Sequence, residues 1–223
     1  MKQLFLAAAL VLGLACNLPS MAKDAAPASK EPAKAPAKAA PANSDSWDID
    51  TAHSAVNFTV RHMMVSNVRG NFGQVTGKVK YDGKTMSKAF VDATIDAKTI
   101  STQEPKRDEH LRAGDFLDTE KYPTMKFVST KVIPGKDGAF TLEGNFTMHG
   151  VTKKVSLKAE PLSKPVMIKG APHMGVSAKG KLNRKDFGVS YNKTLDNGGA
   201  MVGDEINFEI DLELVKSDNK AQA

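Results

Sequence analysis

The feature that most restricts the fold of this chain is a strict two-residue alternation near its end. Across residues 204–215, Ile206, Phe208, Ile210, Leu212 and Leu214 take one phase, and Glu205, Asn207, Glu209, Asp211 and Glu213 take the other. Successive side chains of an extended strand point to opposite faces, so such a segment has one apolar and one charged surface. The same texture predicts strands over residues 54–62, 74–81, 88–96, 124–134, 139–148, 152–160 and 173–183. Asp82-Gly83, Asp137-Gly138 and His149-Gly150 supply residues that accept positive φ between successive strands, so neighbours should pair antiparallel.

Eight strands, each apolar on one face, satisfy both faces and lose both edges by closing into a barrel with the apolar side chains inside. A two-sheet sandwich is the alternative. Residues 204–215, at ~3.3 Å each, would make a strand of roughly 40 Å, longer than a sandwich needs. Gly77, Gly144, Gly175 and Gly180 are read as falling on the inward phase, where missing side chains suggest a cavity rather than a solid core.

The rest of the chain is of a different kind. Met1-Lys2 and the apolar run Leu4 to Ala15 read as an export signal, too short to span a bilayer. Ser20-Met21-Ala22 fits cleavage ahead of Lys23, giving a 1–22 signal peptide and a periplasmic protein. The competing end is a lipoprotein anchored through Cys16, the only cysteine, after Gly13-Leu14-Ala15. Cleavage after Ala22 would leave no thiol for a disulfide, nucleophile or metal. Residues 23–46 are rich in Ala, Pro and Lys and hold almost no large apolar side chain, so they are expected to be a disordered linker. That leaves a domain over 47–216 and a disordered tail over 217–223. The net charge of +6 is interspersed and aromatics make up only 6%, which argues against a nucleic-acid partner.

Charge concentrates in one long connection, residues 97–123, between the third and fourth predicted strands. Thr102 as N-cap, Pro105 in the first turn and Gly114 as C-cap predict a helix over 103–113. Asp108 and Arg112 are four apart, as are Lys106 and His110, and Leu111 is left to pack inward. His110 among carboxylates is raw material for acid-base catalysis, but no nucleophile accompanies it, and Ser101 and Thr102 are better explained by capping. Arg107, Asp108, Arg112 and Asp115 are therefore expected to form ion pairs at a barrel end. The five histidines are scattered without zinc-site spacing, so no metal is expected. The run Leu195 to Glu205 has no phosphate-loop spacing.

"WDIDTAHSAVNFTVRHMMVSNVRGNF", "KRDEHLRAGDFLDTEKYPTMKFVST", "GNFTMHGVTKKVSL" and "KLNRKDFGVSYN" together resemble the YceI-like family of bacterial proteins, in order from Trp47 to about Val215. The resemblance implies a lipocalin-like, extended eight-stranded antiparallel barrel, with the "RDEHLR" helix inserted beside it. It also implies a binding protein for long isoprenoids or other lipids, many members being periplasmic, and no catalytic role. The expected function is to carry or sequester a long-chain amphiphile, such as a polyisoprenoid quinone or its precursor, with the lipid as ligand and no other cofactor. Phe58, Val60, Met125, Phe127, Phe140, Leu142, Phe146, Met148, Val176, Phe208 and Ile210 are the candidate tunnel lining. Arg61, His62, Arg107, His110 and Arg112 are the head-group candidates. Peripheral membrane association and a homodimer stay open. The alternatives are an enzyme acting on a lipid or ester through His110, and a ligand-free interaction module at the envelope.

Overall fold

The structure is a computed structural model and describes residues 45–196 and 198–217. The signal, Cys16, almost all of the linker and all but the first residue of the tail lie outside the described residues. Twelve strand segments follow in chain order: β1 (Ser46–Ile49), β2 (Ala55–His62), β3 (Ser66–Phe72), β4 (Val75–Lys80), β5 (Phe90–Asp96), β6 (Ile100–Ser101), β7 (Thr124–Pro134), β8 (Phe140–Met148), β9 (Val151–Ala159), β10 (Val166–Ile168), β11 (Ala171–Asn183) and β12 (Val202–Lys216). One α-helix among the described residues, α1 (Pro105–Arg112), lies between β6 and β7.

Hydrogen-bonded neighbours run β11, β9, β8, β7, β5, β4, β1 and β12, and β12 pairs back onto β11 from His173↔Val215 to Asn183↔Glu205. This closes the expected antiparallel barrel of eight strands, all-β apart from the short helical insertion. Two strands are longer than the alternation indicated. β1 and β2 are halves of one strand, since both pair with β12, at Ile49↔Leu214 and Ala55↔Asp211. β4 and β3 are likewise halves of its neighbour. The break after β1 is an Asx turn in which Asp50 Oδ1 accepts from the Ala52 N–H at 2.8 Å. Ser54 Oγ accepts from the Glu213 N–H at 3.0 Å, which holds the bend against β12. β3 escaped the sequence reading because Gly70 occupies an inward position between Val68 and Phe72, leaving too few apolar residues to show a period of two.

Inward residues form the core, with Leu214 and Val75 at 1% and 2% exposure. Outward residues form cross-strand ion pairs, Lys179–Glu209 at 3.1 Å, Lys181–Glu205 at 2.8 Å and Lys126–Asp92 at 3.1 Å. Solvent screening leaves each such exposed pair a weak contributor to stability. A charged outer face is the reverse of the apolar band around a membrane-spanning barrel.

The wall is incomplete at the end where β12 begins. β9 bonds to β11 only from Ala159↔Ala178 to Leu157↔Gly180. The opening is filled by a 3-10 turn, Arg184–Phe187, whose Phe187 ring is 1% exposed and meets Phe146 with centroids 5.7 Å apart. α1 and Phe116 cover the same end. The helix differs from expectation at both caps. Gln103 takes φ 62, outside helical space, so the N-cap is Glu104, whose side chain accepts from the Lys106 N–H at 3.2 Å; Pro105 holds the first turn and Ala113 is the C-cap. Thr102 instead donates its N–H to the buried Asp108 carboxylate at 2.8 Å and its hydroxyl to the same oxygen.

Candidate functional site

The barrel encloses a cavity of about 240 Å3. Every residue assigned to a lining by strand phase borders it: Phe58, Val60, Met125, Phe127, Phe140, Leu142, Phe146, Met148, Val176, Phe208 and Ile210. Tyr81, Met86 and Leu162 add to the lining toward one end, and Leu111, Phe116, Val189 and Val202 toward the other. An apolar cavity of about 150 Å3 accepts one benzene, so this one takes roughly two isoprene-sized units before any side chain moves.

The glycines do not create this space, contrary to expectation. A Cβ on Gly144 would sit 2.4 Å from the Phe127 ring, and one on Gly180 would sit 2.8 Å from both Phe208 and Leu157. Gly70 is covered in the same way by Phe58, its cross-strand partner. Glycine here lets an aromatic ring lie flat across the neighbouring strand. Gly77 has φ +147, and a Cβ there would strike the Asp92 carbonyl oxygen at 2.2 Å, so it serves close backbone approach. Gly175 is on the outward phase, between the buried Met174 and the lining Val176, and its nearest neighbour is Ser163.

None of the five head-group candidates borders the cavity. Arg107 donates to Thr102, from Nε to Oγ1 at 2.7 Å and from Nη2 to the carbonyl at 3.0 Å. Arg112 donates to the carbonyls of Lys98 and Ile100, each at 2.9 Å. The ion pairs expected among Arg107, Asp108, Arg112 and Asp115 are replaced by these bonds, because a short helix lying over strand ends meets unpaired carbonyls first. The His110 ring sits between Phe116 and Tyr191, with centroids at 5.0 and 5.2 Å, and its Nε2 bonds Asp115 at 2.9 Å. Arg61 lies on the outer surface and donates to the Met64 carbonyl at 2.9 Å. His62 is half-buried where β2 turns toward β3.

The charged residue that does border the cavity is Arg184, which the sequence reading missed. It is 3% exposed. Its Nε donates to Gly203 O at 2.9 Å, its Nη1 to Val189 O and Tyr191 O at 2.9 and 2.8 Å, and its Nη2 reaches Val202 O and Asp204 Oδ1 at 3.4 and 3.3 Å. Burial pulls its pKa below the usual arginine value and Asp204 opposes this; the guanidinium stays charged. Two local signals bracket it: Asn183 caps the 3-10 turn by accepting from the Lys185 N–H at 2.9 Å, and Gly188 ends it at φ 78. With its donors spent on loop carbonyls, Arg184 closes the barrel end. At the other end the Tyr81 side chain borders the cavity, whose lining is apolar.

Comparison with known proteins places this geometry. Residues 47–214 match the model of the YceI-like domain. A UPF0312 protein of Staphylococcus aureus is 34% identical over 169 residues, covering 75% of this chain and 95% of its own. The crystal structure of the Campylobacter jejuni YceI protein superposes with a TM-score of 0.59 at 30% identity, over 70% of this chain and 90% of that one. A polyisoprenoid binding domain from Saccharophagus degradans, implicated in plant cell wall breakdown, shares the fold with a TM-score of 0.57 at 12% identity, over 77% and 98% of the two chains.

Proposed function

The chain belongs to the YceI-like family, and from that premise we propose that it binds a long-chain amphiphile, of the polyisoprenoid class, and carries or sequesters it inside the barrel. The observation that supports this reading is the enclosed apolar lining, whose one charged neighbour, Arg184, is already bonded to the loops. Such a surface offers a tail burial and little else: a tail burying roughly 400 Å2 gains about 10 kcal/mol gross at ~25 cal/mol per Å2, before ordering costs. The polyisoprenoid named for the Saccharophagus domain of the same fold is consistent with that chemistry. A carrier is favoured over an enzyme because His110 is wedged between two rings and hydrogen-bonded to Asp115 away from the lining. We also infer export to the periplasm from the apolar run before Cys16, and intact mass of the mature chain distinguishes cleavage after Ala22 from acylation at Cys16.

The test is organic extraction of protein purified from its own host, followed by mass spectrometry. A stoichiometric long-chain lipid is expected from the wild type and none from Ala178→Phe, which fills the lining while circular dichroism still reports a barrel. Recovery of protein without lipid, together with failure to take up polyprenyl alcohols, quinones or fatty amides, sinks the reading.

A further inference from the structure

The β2–β3 hairpin carries two unfavourable features at one place. Met63 to Val65 join β2 to β3, closing at His62↔Ser66, and His62 to Val65 form a β-turn in which the Val65 N–H donates to the His62 carbonyl at 3.0 Å, with Met63 at φ 49 and Met64 at φ 60. Positive φ at both central positions defines the type I′ hairpin turn, whose ordinary occupants are Asn-Gly. Two methionines there cost on the left-handed backbone. They are also exposed, Met63 at 42%, Met64 at 62% and Val65 at 79%. Nothing in folding rewards three consecutive exposed apolar residues on a strained turn, so the local conflict marks a function.

The surroundings say what meets the tip. From Thr51 to Tyr81 the chain holds no Asp or Glu, while Arg61 and Arg69 stand exposed on the hairpin's outer face. The Met63 N–H bonds the Met201 carbonyl at 2.7 Å, which adds a half-buried methionine and the neighbouring exposed Lys193. Val60, two residues before His62 on β2, and Val202, the β12 partner of His62, line the cavity. Apolar side chains flanked by Arg61, Arg69 and Lys193 and next to a lipid-sized cavity match an anionic bilayer surface, with the tip among acyl chains and the arginines at the phosphates.

We propose that the Met63-Met64-Val65 tip docks the barrel on anionic membranes and sets the cavity end beside Val60 and Val202 against the bilayer. Its purpose rests on the cavity being a lipid site; its test needs no cavity ligand. In sedimentation with vesicles of equal phosphatidylethanolamine and phosphatidylglycerol, the full chain carrying Cys16→Ser in every variant should bind, and bind weakly to phosphatidylcholine. The double variant Met63→Asn/Met64→Gly should melt at a higher temperature, because it places the favoured residues in the turn, yet lose vesicle affinity by about tenfold. Val166→Ser/Met167→Ser, at the exposed β10 on the opposite end, should leave vesicle binding unchanged. The proposal is overturned by any of three results: Met63→Asn/Met64→Gly binds vesicles as the wild type does; the β10 variant alone loses binding; or the wild type binds no vesicle and instead dimerises through the tip in analytical ultracentrifugation.

Discussion

At the scale of single residues, Arg184 and the glycines decide how the cavity is bounded. Arg184 binds carbonyls from both sides of the loop between the 3-10 turn and β12, so its removal leaves several buried acceptors unpaired. Arg184→Met should lower stability by about 3 kcal/mol, and Arg184→Lys by somewhat less, because an ammonium cannot reach all those acceptors from one plane. Urea denaturation followed by Trp47, the chain's single tryptophan, measures both. An unchanged midpoint in Arg184→Met would mean that the loop closes without it. The glycines separate by what a Cβ meets. Gly144→Ala and Gly180→Ala press on Phe127 and Phe208 and should each cost about 1–3 kcal/mol. Gly175→Ala meets nothing closer than Ser163 Oγ at 3.9 Å, an ordinary contact, and should gain about 0.5 kcal/mol by stiffening the strand. Equal losses at all three sites would contradict the assignment of Gly175 to the outer face.

At the scale of elements, the turn between β1 and β2 has its own pH signature. Hydrogen bonding to His53 is the largest cause of the lowered Asp50 pKa, with the Ala52 N–H next, and the same bond raises His53 above the ordinary histidine value. A depressed carboxylate stabilises above its unfolded pKa of about 3.9, and the effect is lost as pH falls through the lower folded value. A raised histidine stabilises below about 6.5, and the effect is lost as pH rises through the higher folded value. Both are present only between those limits. The melting temperature of wild type minus His53→Ala should therefore be greatest near pH 5 and shrink on either side; a flat difference from pH 4 to 8 excludes the pair as a contributor. How well each element could be read follows from what its sequence displays. β12 was legible because five apolar residues keep one phase, and the lining followed from phase alone. β3 was not, since Gly70 removes the middle of its pattern. The α1 connection was read as a ring of ion pairs because charges show in a sequence and strand-end carbonyls do not. Arg184 was hidden for the converse reason: in the run Asn183-Arg184-Lys185-Asp186 nothing but the capping turn indicates which cation points inward.

For the molecule as a whole, the cavity and the proposed cargo differ in size. About 240 Å3 holds roughly two isoprene-sized units, judged against the single benzene of a cavity of about 150 Å3, so a longer tail requires the lining to yield. Branched and aromatic side chains packed across neighbouring strands yield little, whereas methionine changes rotamer cheaply. Met86, Met125 and Met148 border the cavity, the last two at 3% and 8% exposure, and are the groups able to extend it. Affinity for prenyl alcohols should rise steeply through the first two units, by about 0.8 kcal/mol per buried CH2, and continue to rise more gently beyond them. The double variant Met125→Ile/Met148→Ile keeps the apolar lining and removes that adaptability. It should match the wild type for geraniol and fall behind by about tenfold or more for tails of four units and above, an order of magnitude set by a few unburied CH2 groups. Competitive displacement of a fluorescent fatty-acid analogue across the alcohol series measures both curves. Parallel curves would show that the barrel widens by strand movement and that the methionines are ordinary packing.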